Sequence, residues 1–506
     1  MQNTNKTNKN MKLKKIQSSG KGPSEVGPND PERRSFLKYT VGGVAGLVVG
    51  GIVGYYAGLG GAAPGVTTTV TQTGMQTAVQ TATVAPAGVT VRLAVQDDPY
   101  NFALPGMMDA WKAETGNTVQ KTVLGYGPLH DEAMIDFASH TDLFDFYATD
   151  AVWAGQYYPY LADLTPRLSD LPKSDIPPAM LQLGQSSIGG PLKQVAVPLQ
   201  PHNILTIYRK DIFAKNNMAF AAPLDPTFEE IKNFAEKLND PTHDFYGFST
   251  RCQTGAAGGQ EFLQLITAFG GRVFDKDFHP HLDSDQAKSA LRWLIDMKPY
   301  MPPDYAALAW DETLATIQQS RVAISSEWYA RVHWAEDPTK SKVAGNLGYA
   351  MYEHAAKNTD FQENSGMWGI GINADSKNQD VAWQFIKYLY DHNKQFVLAG
   401  STPALISVIN DLAEIPWWPA ARAAALESWT RGHSWGRPPI PEFDWLQTHG
   451  GDVFNAILIG SLDLDKGLAT LNADFEKMLT DAGYYKNNIN PLPSWYFDHY
   501  TPTTYP

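Results

Sequence analysis

The stretch Gly369-Ile370-Gly371-Ile372-Asn373-Ala374-Asp375-Ser376-Lys377-Asn378 runs into Gln379-Asp380-Val381-Ala382-Trp383-Gln384-Phe385-Ile386-Lys387-Tyr388-Leu389-Tyr390. Gly369–Asn373 is a short apolar run bounded by turn formers, which reads as a strand. From Gln379 to Tyr390 the residues Ala382, Phe385, Ile386 and Leu389 recur at helical spacing, so one face of a helix points inward. A strand feeding an amphipathic helix is half of the unit from which α/β sheets are built.

Upstream the same alternation repeats. Val91–Val95 suits a strand, Met107–Thr115 a helix with Met108, Trp111 and Lys112 at helical spacing, and Gly116 its stop. Thr118–Val123 reads as a strand, His130–His140 as a helix and Asp145–Ala148 as a short strand. This order predicts a parallel sheet with crossover helices. Further on, Thr227 and Glu230 have the spacing of a capping box. Tyr246–Thr250, Val322–Ser326 and Leu347–Met351 read as strands, and Glu261–Phe269 and Asp285–Met297 as helices. After Ala404 the chain is mainly helical, and the proline-bearing tail from Lys486 is irregular.

The chain has 506 residues, 43% hydrophobic, 12% aromatic and only 18% charged. That composition excludes a disordered, collagenous or coiled-coil protein. The net charge of −13 argues against a nucleic-acid partner, since phosphates need a basic surface. A single cysteine, Cys252, rules out an internal disulfide, a cysteine zinc site and an iron–sulfur cluster.

The front end differs from the rest. Residues 1–40 form a basic tail containing Glu32-Arg33-Arg34-Ser35-Phe36-Leu37-Lys38, which resembles the twin-arginine export motif with Glu32 as its one departure. Residues 41–64 are an uncharged apolar segment rich in Gly, Val and Ala, long enough to span a bilayer with the basic side in the cytoplasm. Its length favours an uncleaved anchor. Ala62-Ala63-Pro64 and Ala85-Pro86-Ala87 are small-residue cleavage sites if it is removed. Residues 65–89 are a Thr-rich linker without charge. The expected location is the cell membrane, with the binding body on the extracellular face.

Six segments in order carry a resemblance. They are Ala196-Val197-Pro198 through Tyr208-Arg209-Lys210-Asp211-Ile212-Phe213, Pro226-Thr227-Phe228-Glu229-Glu230, Gln319–Trp328, Gly369–Asn378 with its helix, Gly400-Ser401-Thr402-Pro403-Ala404, and Arg437-Pro438. Together they resemble the extracellular solute-binding proteins of ABC importers, in the sugar-binding family that includes the maltose-binding proteins. The likeness covers about Val91 to Leu479. Ser320 stands where that family has Gly, and Phe228 where it has Trp.

The resemblance implies an α/β, periplasmic-binding-protein-like fold of two lobes, with a hinge between them and a ligand cleft. Residues 90–200 plus 355–405 would form one lobe, 201–350 plus 406–485 the other, and 486–506 a C-terminal tail. The chain would cross near Leu199–Asn203, Ala350–Ala355 and Leu405–Ala413. It implies no catalysis, no cofactor and no metal. The expected partners are a sugar or oligosaccharide and the permease subunits of an ABC transporter, with the receptor itself a monomer.

Fourteen tryptophans are many for one chain, and an indole face suits the C–H face of a sugar. Most tryptophans are nevertheless core. Trp328 matches the family's cleft tryptophan, and Asp98 and Asp150 match positions that bind sugar hydroxyls. Asp150 reads equally well as a helix cap. Trp368 stands at a predicted strand end, and Trp153 follows Asp150 at the end of a parallel strand, where ligands gather in open α/β sheets. His202 and Asn203 fall at the first crossing, where the maltose binders carry Glu. Trp310, Asp311, Trp435 and Tyr126 are further candidates, whereas Trp417-Trp418 reads as a packed loop. The donor-rich run Asp275–Asp285 lacks the turn Gly and terminal Glu of a calcium loop and reads as a solvated loop with Asp283 capping the next helix. The alternatives are the same fold holding a polyamine, iron or phosphate, or a secreted carbohydrate-active enzyme.

Overall fold

The computed structural model describes residues 88–188, 190–355, 366–431, 436–486 and 490–497. They belong to one compact unit, Thr83–Pro506. The export motif, the apolar segment and nearly all of the linker lie outside the described residues. Among the described residues, no helix is long and apolar enough to cross a membrane.

Nine strands form two sheets: β1 Thr90–Gln96, β2 Thr118–Leu124, β3 Phe146–Asp150, β4 Val197–His202, β5 Ile204–Arg209, β6 Tyr246–Ser249, β7 Val322–Trp328, β8 Leu347–Met351 and β9 Gly366–Ile372. The first sheet has the order β2-β1-β3-β9-β4 and the second β8-β5-β7-β6. Asn203 alone separates β4 in one sheet from β5 in the other.

β1, β2 and β3 are parallel, as the strand–helix alternation predicts. β9 instead runs antiparallel to both β3 and β4. The physical reason is its route. A crossover helix returns the chain to the same end of a sheet and preserves direction, but β9 arrives from the second sheet and enters from the opposite end.

The helices that cover the sheets begin earlier than periodicity suggests. α1 spans Pro99–Thr115 and α2 Tyr126–Ser139. Pro105 lies inside α1 and cannot supply the amide that would pair with Asn101 O. Lys121 Nζ supplies a donor to that carbonyl instead, at 2.9 Å. α3 (Phe228–Leu238) opens on the expected capping box: Glu230 N donates to Thr227 Oγ1 at 3.3 Å and Thr227 N to Glu230 Oε2 at 3.0 Å.

α4 (Ala256–Ala268) is buried almost throughout. α5 (Asp285–Met297) is capped by Ser284, whose Oγ accepts from Ala287 N at 3.3 Å, and not by Asp283. A cap must directly precede the first helical residue, and Asp283 stands one residue too early. In the loop before it, Asp275 turns its carboxylate onto the amides of Asp277 and His279.

α6 is Trp310–Gln318, and α7, Gln379–Asp391, buries Ala382, Phe385, Ile386 and Leu389 as its spacing predicts. Phe385 meets Trp111 edge-on at 5.1 Å. α8 (Trp418–Arg431) starts at a buried Trp418, which donates Nε1–H to Ile409 O, so this tryptophan opens a helix rather than lying in a loop. α9 (Phe443–Leu458) and α10 (Leu464–Ala482) are the last two long helices, and shorter ones include Pro178–Leu183, Lys210–Lys215 and Asn393–Leu398. α9 lies almost against the backbone of α4: a Cβ at Gly259 would stand 1.7 Å from Gln447 O.

Candidate functional site

The ends of β1, β3, β4 and the start of β9 fall at one end of the first sheet. They face the end of β7 and the start of β5 in the second. Register places Trp368 opposite both Asp150 and Gln200, and Trp328 opposite Ile204. A cleft runs between the two sheets.

The wall on the first sheet is a set of paired aromatics and carboxylates. Trp368 donates Nε1–H to Asp98 Oδ2 at 3.0 Å. Tyr126 OH donates to Asp150 Oδ2 at 3.0 Å, and its ring lies 6.1 Å from that of Trp368. The opposite wall holds Trp328, Trp310 and Arg331. Trp310 donates Nε1–H to Gln260 Oε1 at 2.9 Å, and Arg331 pairs with Asp311 at 2.6 Å. Tyr126 and Trp310 approach across the cleft to 5.5 Å.

Arg437 closes the cleft from a segment far along the chain. Its Nη1 meets Asp150 Oδ1 at 2.9 Å, and its guanidinium lies 5.4 Å from the centre of the Trp328 ring. Just beyond it, Pro439 O accepts from Ser186 Oγ at 3.0 Å. Gly366 lies where no side chain fits: a Cβ there would stand 2.4 Å from His202 Nε2 and 2.9 Å from Trp328 Cζ3.

The cavity enclosed by these groups has a volume of about 30 Å3, room for little more than a water. A ligand of sugar size enters only if the two walls part. Three buried polar atoms on its lining, Gln96 Oε1, Asp98 Oδ1 and His202 Nδ1, have no hydrogen-bond partner among the described residues. Such atoms are costly to leave unpaired.

Burial sets the protonation of two of these groups. It pushes the Asp98 carboxyl up to about 6, with Arg331 pulling the other way. It holds His202 well below the usual histidine range, reinforced by Arg437 and Arg331, so the ring is neutral.

Of the sequence candidates, Asp98, Asp150, His202, Trp310, Trp328 and Trp368 line this cavity, as does Tyr126. Trp153 does not reach it. The turn after Asp150 folds it into the core, stacked 5.0 Å from His130 and 4.9 Å behind Tyr126. Asn203 is also fully buried, and its carbonyl accepts from Tyr329 N at 2.8 Å. Asp150 lines the cavity and also caps the turn that follows, where its Oδ1 accepts from Val152 N. Asp311 serves Arg331. Trp435 lies outside the described residues.

Sequence reasoning did not select Gln96, Gln260, Arg331 or Arg437. Gln96 had a signal, since it ends β1 two residues before Asp98. Gln260 had none, because a mid-helix amide reaches the cleft only through tertiary packing, whereas Arg437 stands in one of the segments that carry the resemblance.

Residues 101–395 match the family described as bacterial extracellular solute-binding protein. The chain is 28% identical over 316 residues to a mannitol-binding protein of Pseudomonas aeruginosa, spanning 58% of this chain and 70% of that one. A solute-binding protein of an ABC transporter from Agrobacterium radiobacter K84, solved in complex with ribitol, is 29% identical. It superposes with a TM-score of 0.70 over 77% of this chain and 99% of its own. Maltose-bound MalE3 of T. maritima shares the fold at 20% identity, with a TM-score of 0.69 over 78% of this chain and 100% of its own.

Proposed function

This chain belongs to the bacterial extracellular solute-binding proteins, a family of binding receptors rather than enzymes, and on that premise we propose that it captures a small uncharged polyol or sugar for an ABC importer. The observation that carries the reading is the pairing of charge in the cleft. Arg331 is neutralised by Asp311 and Arg437 by Asp150, so neither arginine is poised for a carboxylate or phosphate. Asp98 and Gln96 present buried acceptor oxygens without partners among the described residues, a need that hydroxyl donors meet. Indole and phenol rings supply the apolar faces that C–H groups pack on.

The similarity to a mannitol-binding protein and to a ribitol complex supports a ligand of that size. So does the narrow cavity, which needs least widening for a short ligand. The proposed cycle has the two lobes, 90–200 plus 355–405 and 201–350 plus 406–485, parting and then closing on ligand through the strands at Asn203 and after Tyr352. Ligand binding favours the closed state by its differential affinity. The loaded receptor then passes its ligand to the permease. Arg33-Arg34 and the apolar segment 41–64 fit export and membrane anchoring, with residues 65–89 as a stalk.

A thermal-shift screen of the full-length chain tests this reading. Ribitol, D-mannitol or a neutral monosaccharide raises Tm, because a ligand bound only by the native state stabilises it by mass action. Spermidine, phosphate and ferric citrate leave Tm unchanged. A shift with those controls alone overturns the proposal.

A further inference from the structure

Behind Trp328 lies a group of charges that the cleft itself does not use. Arg251, Glu261, Glu327 and Glu353 are all fully buried. Arg251 Nη2 meets Glu261 Oε2 at 2.5 Å and Nη1 donates to Ser326 O at 3.0 Å. Glu327 Oε1 is 3.8 Å from Arg251. The Arg251 guanidinium stands 5.7 Å from the centre of the Trp328 ring. Glu353 lies just past the end of β8, where the chain leaves the second sheet. Its Oε2 accepts from Thr206 Oγ1 on β5 at 2.7 Å, and its Oε1 from Ser326 Oγ on β7 at 3.2 Å. The preceding Tyr352 donates to Glu261 Oε1 at 2.7 Å.

Glu353 therefore lies where two inter-sheet connections meet the second sheet, and both of its hydroxyl partners stand on strands of that sheet. Thr206 is three residues past Asn203, and Glu353 itself begins the passage toward β9. Glu261 and Glu327 share the Arg251 guanidinium in this core, whereas Glu353 is paired with no cation among the described residues, and a buried charge without a partner is expensive. Glu261 has Arg251 and Tyr352, and Glu327 has Arg251 with Arg331 nearby. The hydrogen bonds of Glu353 come from neutral groups, the hydroxyls of Thr206 and Ser326 and its own backbone amide. The next residue in the chain, His354, pairs with Asp225 at 2.7 Å.

We propose that Glu353 is the positioning residue of the hinge, a carboxyl that keeps its proton in the closed arrangement and favours opening once the proton is lost. Burial pushes this group up to about 7, with Glu261 adding to the effect. The charged form is relieved by water, and parting of the lobes at this crossing is the route by which water arrives. Arg251 carries the same network to the back of Trp328, so hinge and cleft wall share it. The inference rests on the reading that this protein works by lobe closure.

The test uses the full-length chain with spin labels on Glu114→Cys and Lys340→Cys, one on each lobe; Cys252 is buried and stays unlabelled. Without ligand, the long-distance population grows as pH rises from 6 to 8, and Glu353→Gln abolishes that growth. An identical pH response in parent and variant, or none in the parent, overturns the proposal. If Glu353→Gln does not fold, Thr206→Val removes one donor to the carboxylate and moves the response to higher pH; an unmoved response overturns it equally. Titration with D-mannitol and ribitol at pH 6 keeps the two readings apart. Polyol binding without the pH response removes the hinge role alone, and the pH response without polyol binding removes the ligand assignment alone.

Discussion

Trp368 and Asp98, 270 residues apart in sequence, are joined by one hydrogen bond from the indole Nε1–H to Oδ2 at 3.0 Å. That bond fixes which carboxylate oxygen turns to the cleft, because Oδ1 is left buried and unpartnered among the described residues. It also sets the indole plane beside Tyr126 and Tyr100.

Trp368→Phe keeps most of the aromatic area and deletes the donor. Loss of one hydrogen bond to a charged group costs about 1.5–3 kcal/mol. Calorimetry with the polyol that binds the parent should show roughly ten- to hundredfold weaker affinity, and an unchanged affinity removes this bond from the account.

Asp98 titrates at about 6 in the folded protein, above the ordinary carboxylate range. The charged form accepts from a ligand hydroxyl, so affinity should fall as pH drops through about 6. Its contribution to folding stability has the opposite sense: it is fully present below the unfolded-state value and is lost as pH rises through about 6. Asp98→Asn should bind more weakly at pH 7.5 and show a flat profile from pH 5 to 7.5. A parent affinity that does not change over that range contradicts the assignment.

Gly366→Ala forces a methyl group against His202 and Trp328. Overpacking of this kind costs about 1–3 kcal/mol. The variant should melt at lower temperature and lose ligand affinity, since both displaced rings line the cleft. Full affinity with an unchanged Tm would mean that the strand shifts freely.

Thr227→Ala removes the hydroxyl half of the capping box on α3, far from the cleft. A lost N-cap costs about 1 kcal/mol. Chemical denaturation should register that loss while polyol affinity stays at the parent value; a change in affinity would show that α3 is coupled to the site.

Much of this architecture was legible because it rests on local pattern. The core face of α7, the capping box at Thr227 and the strands around Val91, Thr118 and Leu347 follow from periodicity and turn chemistry. The direction of β9 did not, because strand polarity depends on the route between the two sheets. Asp98, Asp150 and His202 could be named because the resemblance aligns them with the family's ligand positions and first crossing. Trp153 was named because it follows a strand end, and the turn after Asp150 packs it behind Tyr126, away from the cavity lining. Arg331, Arg437 and Glu353 act through partners distant in the chain; the resemblance marked the segment of Arg437 and the crossing that holds Glu353, but not what either side chain does.

The central claim is that the cleft takes an uncharged, hydroxyl-rich ligand. Isothermal titration of the full-length chain with ribitol and D-mannitol, beside D-mannonate and D-mannosamine as charged counterparts, tests it most directly. The account predicts saturable binding of a neutral polyol, with the charged compounds weaker by at least tenfold. Tighter binding of the acid or the amine would show that one of the arginine–aspartate pairs opens to the ligand, and would contradict it.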